Sequence, residues 1–182
     1  MATATGAHTV RLWLDQLLLE QSARPNTPPK YHWHTERSRW KTCACDLMVT
    51  AWIPLTEIIP NLGPLTLVRH TARHQWLNLP NNYQPDPNDL LPAPLQPGDA
   101  LLFCWHTVHG NPPNFSQKPR RALAAHFALN QINYQPHGNF SHHNEKVVSQ
   151  SKNLPNFQDP HVCPLLKINP PSNKNHYKYI KC

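Results

Sequence analysis

Two short stretches of the chain hold residues that together could grip a metal ion. One is His34-Thr35-Glu36, which follows Trp33. The other is His109-Gly110, which closes the apolar run Leu101-Leu102-Phe103-Cys104-Trp105. A β-strand points residues i and i+2 to one face, so His34 and Glu36 are expected to reach one ion from a strand over residues 31–36. A distant His109 would complete two imidazoles and one carboxylate on one side of that ion. This is the facial triad that leaves positions free for dioxygen and a co-substrate on non-haem Fe(II). His32 shares the expected face and stands as a rival ligand or as a group behind the ligands. With 13 histidines in the chain, a His-x-Glu pair also arises by chance, and His109 could merely cap a strand end.

A second feature bears on the same chemistry. After the turn Asn111-Pro112-Pro113-Asn114-Phe115-Ser116, the chain returns through Arg120-Arg121-Ala122. A planar guanidinium holds a carboxylate by two parallel hydrogen bonds. The co-substrate 2-oxoglutarate has a distal carboxylate that needs such a clamp. Arg120 shares a strand face with Ala122, Ala124 and His126, whose small members leave space for a ligand, whereas Arg121 lies with Leu123, Phe127 and Leu129. The plain alternative is a solvated arginine pair at a strand start.

Several elements must position these groups. Residues 9–20 read equally as strand or helix: Val10, Leu12 and Leu14 alternate, while Val10, Trp13, Leu14, Leu17 and Leu18 also fit a helical face. Residues 47–55 carry apolar groups on both faces and read as a central strand. Asn61-Leu62-Gly63-Pro64 is a turn and residues 65–68 a short strand. Residues 74–94 are polar and proline-rich, an expected surface excursion of the kind that lines or covers a site. Gln96-Pro97-Gly98-Asp99 turns into a strand over 100–108, on which Leu101, Phe103, Trp105, Thr107 and His109 share a face, with Gly110 allowing the backbone to turn. Residues 120–129 form the last clear strand.

The totals agree with this layout. At 182 residues, one domain with a real core is expected over residues 1–150, followed by a polar Asn/Pro/Lys-rich C-terminal tail over 151–182. Twenty-one prolines disfavour long helices, and short strands with frequent turns point to an all-β sandwich or jelly roll. The formal net charge is +7, but no run of five basic residues occurs, so nucleic acid is not the expected partner. A pocket that attracts anions is a weaker implication of that charge. Five cysteines without a CxxC pair suggest no disulfide framework. No apolar stretch approaches a membrane span, and a reduced, cytoplasmic setting is the expectation.

The ordered pieces resemble a known family. Asp15-Gln16-Leu17-Leu18, Trp33-His34-Thr35-Glu36, Val49-Thr50-Ala51-Trp52-Ile53-Pro54-Leu55 and Asn61-Leu62-Gly63-Pro64-Leu65 come first. Pro97-Gly98-Asp99-Ala100-Leu101-Leu102-Phe103, His109-Gly110, Asn114-Phe115-Ser116 and Arg120-Arg121-Ala122 follow. Together they look like the phytanoyl-CoA dioxygenase family of Fe(II)/2-oxoglutarate oxygenases, from about Val10 to Phe127. The resemblance implies a double-stranded β-helix, the cupin-like jelly roll, with few short helices. It implies that His34, Glu36 and His109 bind Fe(II), and that Arg120 rather than Arg121 holds the far carboxylate of 2-oxoglutarate. It also implies that Trp52 lies beside the co-substrate pocket, and that Asn111 stands there where the family often has serine.

Glu36 stands where the family usually has aspartate. A retained carboxylate ligand argues for hydroxylation over halogenation. The implied activity is hydroxylation of a small organic molecule by Fe(II), 2-oxoglutarate and dioxygen, with release of succinate and carbon dioxide. A second reading stays open, prompted by a short N-terminal part: an inactive family member that binds metal or a partner without turnover. Loops, above all residues 74–94, would choose the substrate.

Overall fold

The computed structural model describes residues 7–24, 26, 28, 31–74, 78–135 and 156–166. The expected boundary at 150/151 and residues 167–182 of the tail lie outside them. Two long strands form the frame: β2 (Cys43–Pro54) and β7 (Arg120–Tyr134). They pair antiparallel over nearly their whole length, as apolar alternation on both faces requires of central strands. β1 (Val10–Glu20) flanks β7, β5 (Leu101–Cys104) flanks β2, and the two-residue β8 (Leu165–Leu166) closes the far edge. The sheet order is therefore β5-β2-β7-β1-β8. A smaller sheet of β4 (Leu90–Pro92), β3 (Thr66–Val68) and β6 (His109–Gly110) runs in the order β4-β3-β6. The protein is mainly β, two curled antiparallel sheets forming a double-stranded β-helix, and among the described residues helix is limited to short turns.

Register across the large sheet builds rows of inward side chains. Leu14, His126, Thr50 and Phe103 form one row, and Gln16, Ala124, Trp52 and Leu101 the next. One further step brings Leu18, Ala122 and Pro54 into line, and the following one Glu20 and Arg120. Trp52, Ile58, Leu65, Phe103, Ala122 and Ala124 make an apolar cluster between the sheets. A second cluster gathers Trp13, Trp40, Met48, Trp105, Ala128, Ile132 and Phe157 at the other end of the barrel.

Several local expectations change. Residues 10–20 of that stretch are strand, and their double periodicity has a cause: the β1–β7 register shifts between Leu12 and Leu14, a bulge at Trp13. The extra residue re-aims Trp13 into the core, edge-on to Trp40 and Phe157. Residues 100–108 are not one strand. β5 ends at Cys104, a turn closes with Thr107 N–H donating to Cys104 O, and His109 belongs to the opposite sheet, where it pairs with Leu67. The excursion over 74–94 contains a 3-10 turn (Pro87–Asp89) and β4, which pairs with β3. Residues 156–166, grouped by composition with the polar tail, pack on the sheet: Phe157 and Cys163 are fully buried and Leu165–Leu166 pair with β1.

Candidate metal centre

The strand expected over residues 31–36 does not form. His34 makes a single antiparallel bridge to His109, each residue donating its N–H to the other's carbonyl at 3.0 Å. Thr35 is extended and caps the short helix α1 (Glu36–Arg39), its hydroxyl accepting from Ser38 N–H at 3.2 Å. Glu36 thus reaches the inner face from the first turn of a helix, not by strand alternation. The bridge does what alternation was expected to do: a directly opposed antiparallel pair carries its side chains side by side on one face. The His34 and His109 rings lie 4.2 Å apart, centroid to centroid.

Gly110 plays a different part from the turn expected of it. It sits within β6, and a Cβ there would meet the Trp33 ring at 2.8 Å and the His32 carbonyl at 3.4 Å. Its lack of a side chain lets the segments that carry His34 and His109 close on each other.

His34, Glu36 and His109 each offer one donor atom, all within 4.8 Å of one another. Glu36 and His109 are buried. The imidazoles are oriented from behind: His34 Nδ1 is 2.9 Å from the His32 carbonyl and His109 Nδ1 is 2.9 Å from the Thr107 carbonyl. A carbonyl accepts only, so each Nδ1 carries the proton and a neutral ring leaves Nε2 bare, the tautomer a metal ligand needs. His109 Nε2 then faces Glu36 Oε1 at 3.3 Å. Either a proton on Nε2 or a metal cation between the two atoms makes that contact attractive. His32 contributes its carbonyl, while its exposed side chain is outside the donor group.

The charges agree. Burial, with the nearby His109 and Arg39, brings His34 down to about 3, against smaller opposing effects of Glu36 and the His32 carbonyl, so the ring is neutral. Burial by itself would push Glu36 up. A hydrogen bond from His109, when its Nε2 carries a proton, and the neighbouring imidazoles of His126 and His34 outweigh it and hold Glu36 well below the usual carboxylate range.

These donors line a cavity of about 100 Å³ together with Arg39, Thr50, Trp52, Phe103, Asn111, Ala124 and His126. A wider opening of about 650 Å³ shares His34, Arg39 and Asn111 with it and adds Glu20, His32 and Pro112. Trp52 is 3% exposed, and its Nε1 has no partner among the described residues; the same holds for Asn111 Oδ1. Arg120 is buried and faces inward, whereas Arg121 is exposed. The Arg120 Nη1 donates to the carbonyl of Gly63 and, at 3.4 Å, to that of Leu62. The nearest acid, Glu20 Oε2, is 3.9 Å from Nη2, too far for a tight carboxylate pair. Arg120 is not among the residues that line the small cavity; it lies two inward rows further along β7 than Ala124, its guanidinium anchored by carbonyls.

Sequence reasoning named His126 only as a face-mate of Arg120. It is 1% exposed, its Nδ1 is 2.9 Å from Thr50 Oγ1, and its Nε2 has no partner. The available signal was the i+6 spacing from Arg120 on one strand face. The same two-residue rule that turns Arg120 inward turns His126 inward.

Two imidazoles and a carboxylate on the inner wall of a double-stranded β-helix are the donor set of a mononuclear non-haem iron centre. The profile of the phytanoyl-CoA dioxygenase (PhyH) family matches residues 3–122, and the chain belongs to that family, whose members use Fe(II), 2-oxoglutarate and dioxygen. It is similar to a methylphosphonate hydroxylase of Gimesia maris, with 53% identity over 80 residues, 41% of this chain and 31% of that protein. It is also similar to the dioxygenase olcK of Penicillium canescens, with 37% identity over 87 residues, 45% of this chain and 28% of that protein. The aligned stretches thus span less than a third of either relative.

Among solved structures, the α-ketoglutarate-dependent carbocyclase SnoK of nogalamycin biosynthesis superposes with a TM-score of 0.65 at 20% identity, over 88% of this chain and 63% of that one. The epimerase SnoN, solved with Fe3+, α-ketoglutarate and nogalamycin RO, gives 0.56 at 20% identity, over 70% and 53%. At such identities the likeness is one of fold.

Proposed function

We propose that the protein is an Fe(II)- and 2-oxoglutarate-dependent hydroxylase of a small organic molecule, with His34, Glu36 and His109 as the iron ligands. One observation carries this reading. Both imidazoles spend Nδ1–H on backbone carbonyls, so that bare Nε2 atoms and an ionised carboxylate converge in a buried wall. Bound there, iron with 2-oxoglutarate and dioxygen supplies an oxidant, with succinate and carbon dioxide leaving.

The chain's own residues do the rest. His34 and His109 are held in one tautomer by His32 O and Thr107 O. Arg120, preset by the Gly63 carbonyl, receives the far carboxylate of 2-oxoglutarate; Trp52 walls the pocket and Asn111 offers a polar contact at its mouth. The substrate enters by the wider opening, where Arg39 stands between the two cavities and has no ion pair among the described residues. That position favours a small anion, in keeping with the net charge of +7 and the likeness to a methylphosphonate hydroxylase.

Succinate release from 2-oxoglutarate by iron-loaded protein is the test, screened first with small phosphonates and carboxylates. Substrate-stimulated succinate release supports the hydroxylase. Tight metal binding with no decarboxylation under any substrate would replace it by a metal-binding family member without turnover.

A further inference from the structure

We propose that His126 is a positioning residue for the co-substrate: its Nε2–H donates to the carboxylate of 2-oxoglutarate that lies against the metal, with Thr50 selecting that tautomer. This rests on the metal-site reading above and assigns a group which that reading does not use.

The geometry begins with an orphan. His126 is 1% exposed, and its Nε2 has no hydrogen-bond partner while lining the same cavity as His34, Glu36 and His109. A buried polar atom left unpaired is costly, and a ligand that pairs it recovers that cost on binding. The ring cannot turn away to find another partner. Trp40 packs edge-on against it at 5.6 Å, and Thr50 holds Nδ1 from the neighbouring strand at 2.9 Å.

The tautomer follows from the Thr50 hydroxyl. Among the described residues its hydrogen-bond partner is His126 Nδ1. If the hydroxyl donates, its proton is used, Nδ1 accepts, and the proton of the neutral ring sits on Nε2. If Nδ1 carried the proton instead, the hydroxyl proton would have no acceptor, and a bare Nε2 would face a cavity containing the Glu36 carboxylate. Both considerations put the proton on Nε2, as a donor aimed at an anion.

The anion's identity follows from the strand. Arg120 and His126 lie on the same inward row of β7, separated by Ala122 and Ala124. Six residues span on the order of 20 Å between their Cα atoms, so the two side chains cannot share one carboxylate. A diacid held at one end by the long Arg120 side chain and running along the small alanines would direct its other carboxylate toward His126 and the metal donors.

The experiment uses the 182-residue protein loaded with Zn(II), which holds ligands without turnover. Binding of 2-oxoglutarate, and of oxalate as a probe lacking the distal carboxylate, is measured by calorimetry for the wild type, His126→Asn, His126→Gln and Arg120→Ala. Asparagine preserves a group near Nδ1 for Thr50 but presents no donor to the cavity. The glutamine amide nitrogen reaches the Nε2 position. His126→Asn is expected to weaken both ligands by roughly 10–100-fold, the range of a hydrogen bond to a charged group. His126→Gln should stay close to wild type, and Arg120→Ala should weaken 2-oxoglutarate but spare oxalate.

Nitrogen NMR of the wild-type ring provides a reading that no substitution can disturb: Nδ1 should be bare and Nε2 protonated. Unchanged oxalate affinity in His126→Asn, or a protonated Nδ1, overturns the proposal. Equal losses in the asparagine and glutamine variants overturn it too. Zn(II) affinity from chelator competition on the same samples separates the two levels. A wild type that binds no metal sinks the site reading and His126 with it, whereas normal metal binding with indifferent His126 variants sinks only the role of His126.

Discussion

Glu36 and His109 meet at 3.3 Å in a wall where neither is more than slightly exposed, and that contact makes demanding predictions. Glu36→Ala removes the one anionic donor and leaves two imidazoles. Metal affinity should fall by at least the roughly 10–100-fold typical of losing a group that merely orients a ligand, read by competition with a chelator. Glu36→Asp keeps the donor type and loses only reach, so it should retain measurable metal binding and succinate formation. Undiminished affinity in the alanine variant would remove Glu36 from the ligand set. The arginine pair offers a paired control. Arg120→Ala should cost about 2–5 kcal/mol of 2-oxoglutarate binding, the range for truncating a buried charge partner. Arg121→Ala should be nearly silent, since Arg121 faces solvent. Equal effects in titrations of the two variants would mean that the buried guanidinium is only structural.

The connections between elements, as much as the strands, bring these residues together. Gly63 ends the 3-10 turn Pro60–Leu62 at φ 69°, in the left-handed region that L-residues avoid. A Cβ there would lie 2.5 Å from the Pro112 carbonyl and 2.8 Å from that of Pro113, and neither backbone atom can rotate aside. The same glycine's carbonyl anchors Arg120. Gly63→Ala should therefore destabilise the fold by more than the roughly 1–2 kcal/mol of left-handed strain alone. It should also weaken 2-oxoglutarate binding in whatever protein remains folded. Thermal unfolding checks the first effect and calorimetry the second; an unshifted melting temperature would show that the Pro112–Pro113 turn yields easily.

At the scale of the whole molecule, the segment over 156–166 closes the barrel end opposite the Arg120 rows. Phe157 is buried edge-on against Trp13 at 4.8 Å and against Tyr134 at 5.8 Å. Phe157→Ala should cost about 3–5 kcal/mol, as expected for a large aromatic removed from a packed core. Chemical denaturation should show this as a lower midpoint with an unchanged slope. A variant as stable as wild type would mean that the segment contributes nothing to the folded unit. Among the described residues no helix is long and apolar enough to cross a membrane, and Cys43, Cys45 and Cys163 carry free thiols.

Local pattern was enough to read the all-β class, the central strand around Val49 to Ile53, the inward turn of Arg120 against the outward turn of Arg121, and the residue types able to hold iron. Each depends on a period of two or on side-chain chemistry, and both are written in the order of residues. What the order could not contain was pairing. That His34 reaches His109 through a two-bond bridge, that Glu36 arrives from a helical turn and that Trp13 bulges from β1 all depend on which segments lie opposite one another. Phe157 looked like part of a polar tail because its neighbours in sequence are polar; its partners, Trp13 and Tyr134, are distant in the chain. His126 is the sharpest case. Its inward direction followed from alternation, but its unpaired Nε2 exists only because β2 sets Thr50 beside Nδ1 and the barrel leaves space on the other side. Contact across strands is decided by register, and register is settled by the packing of the whole barrel, not by any local run of residues.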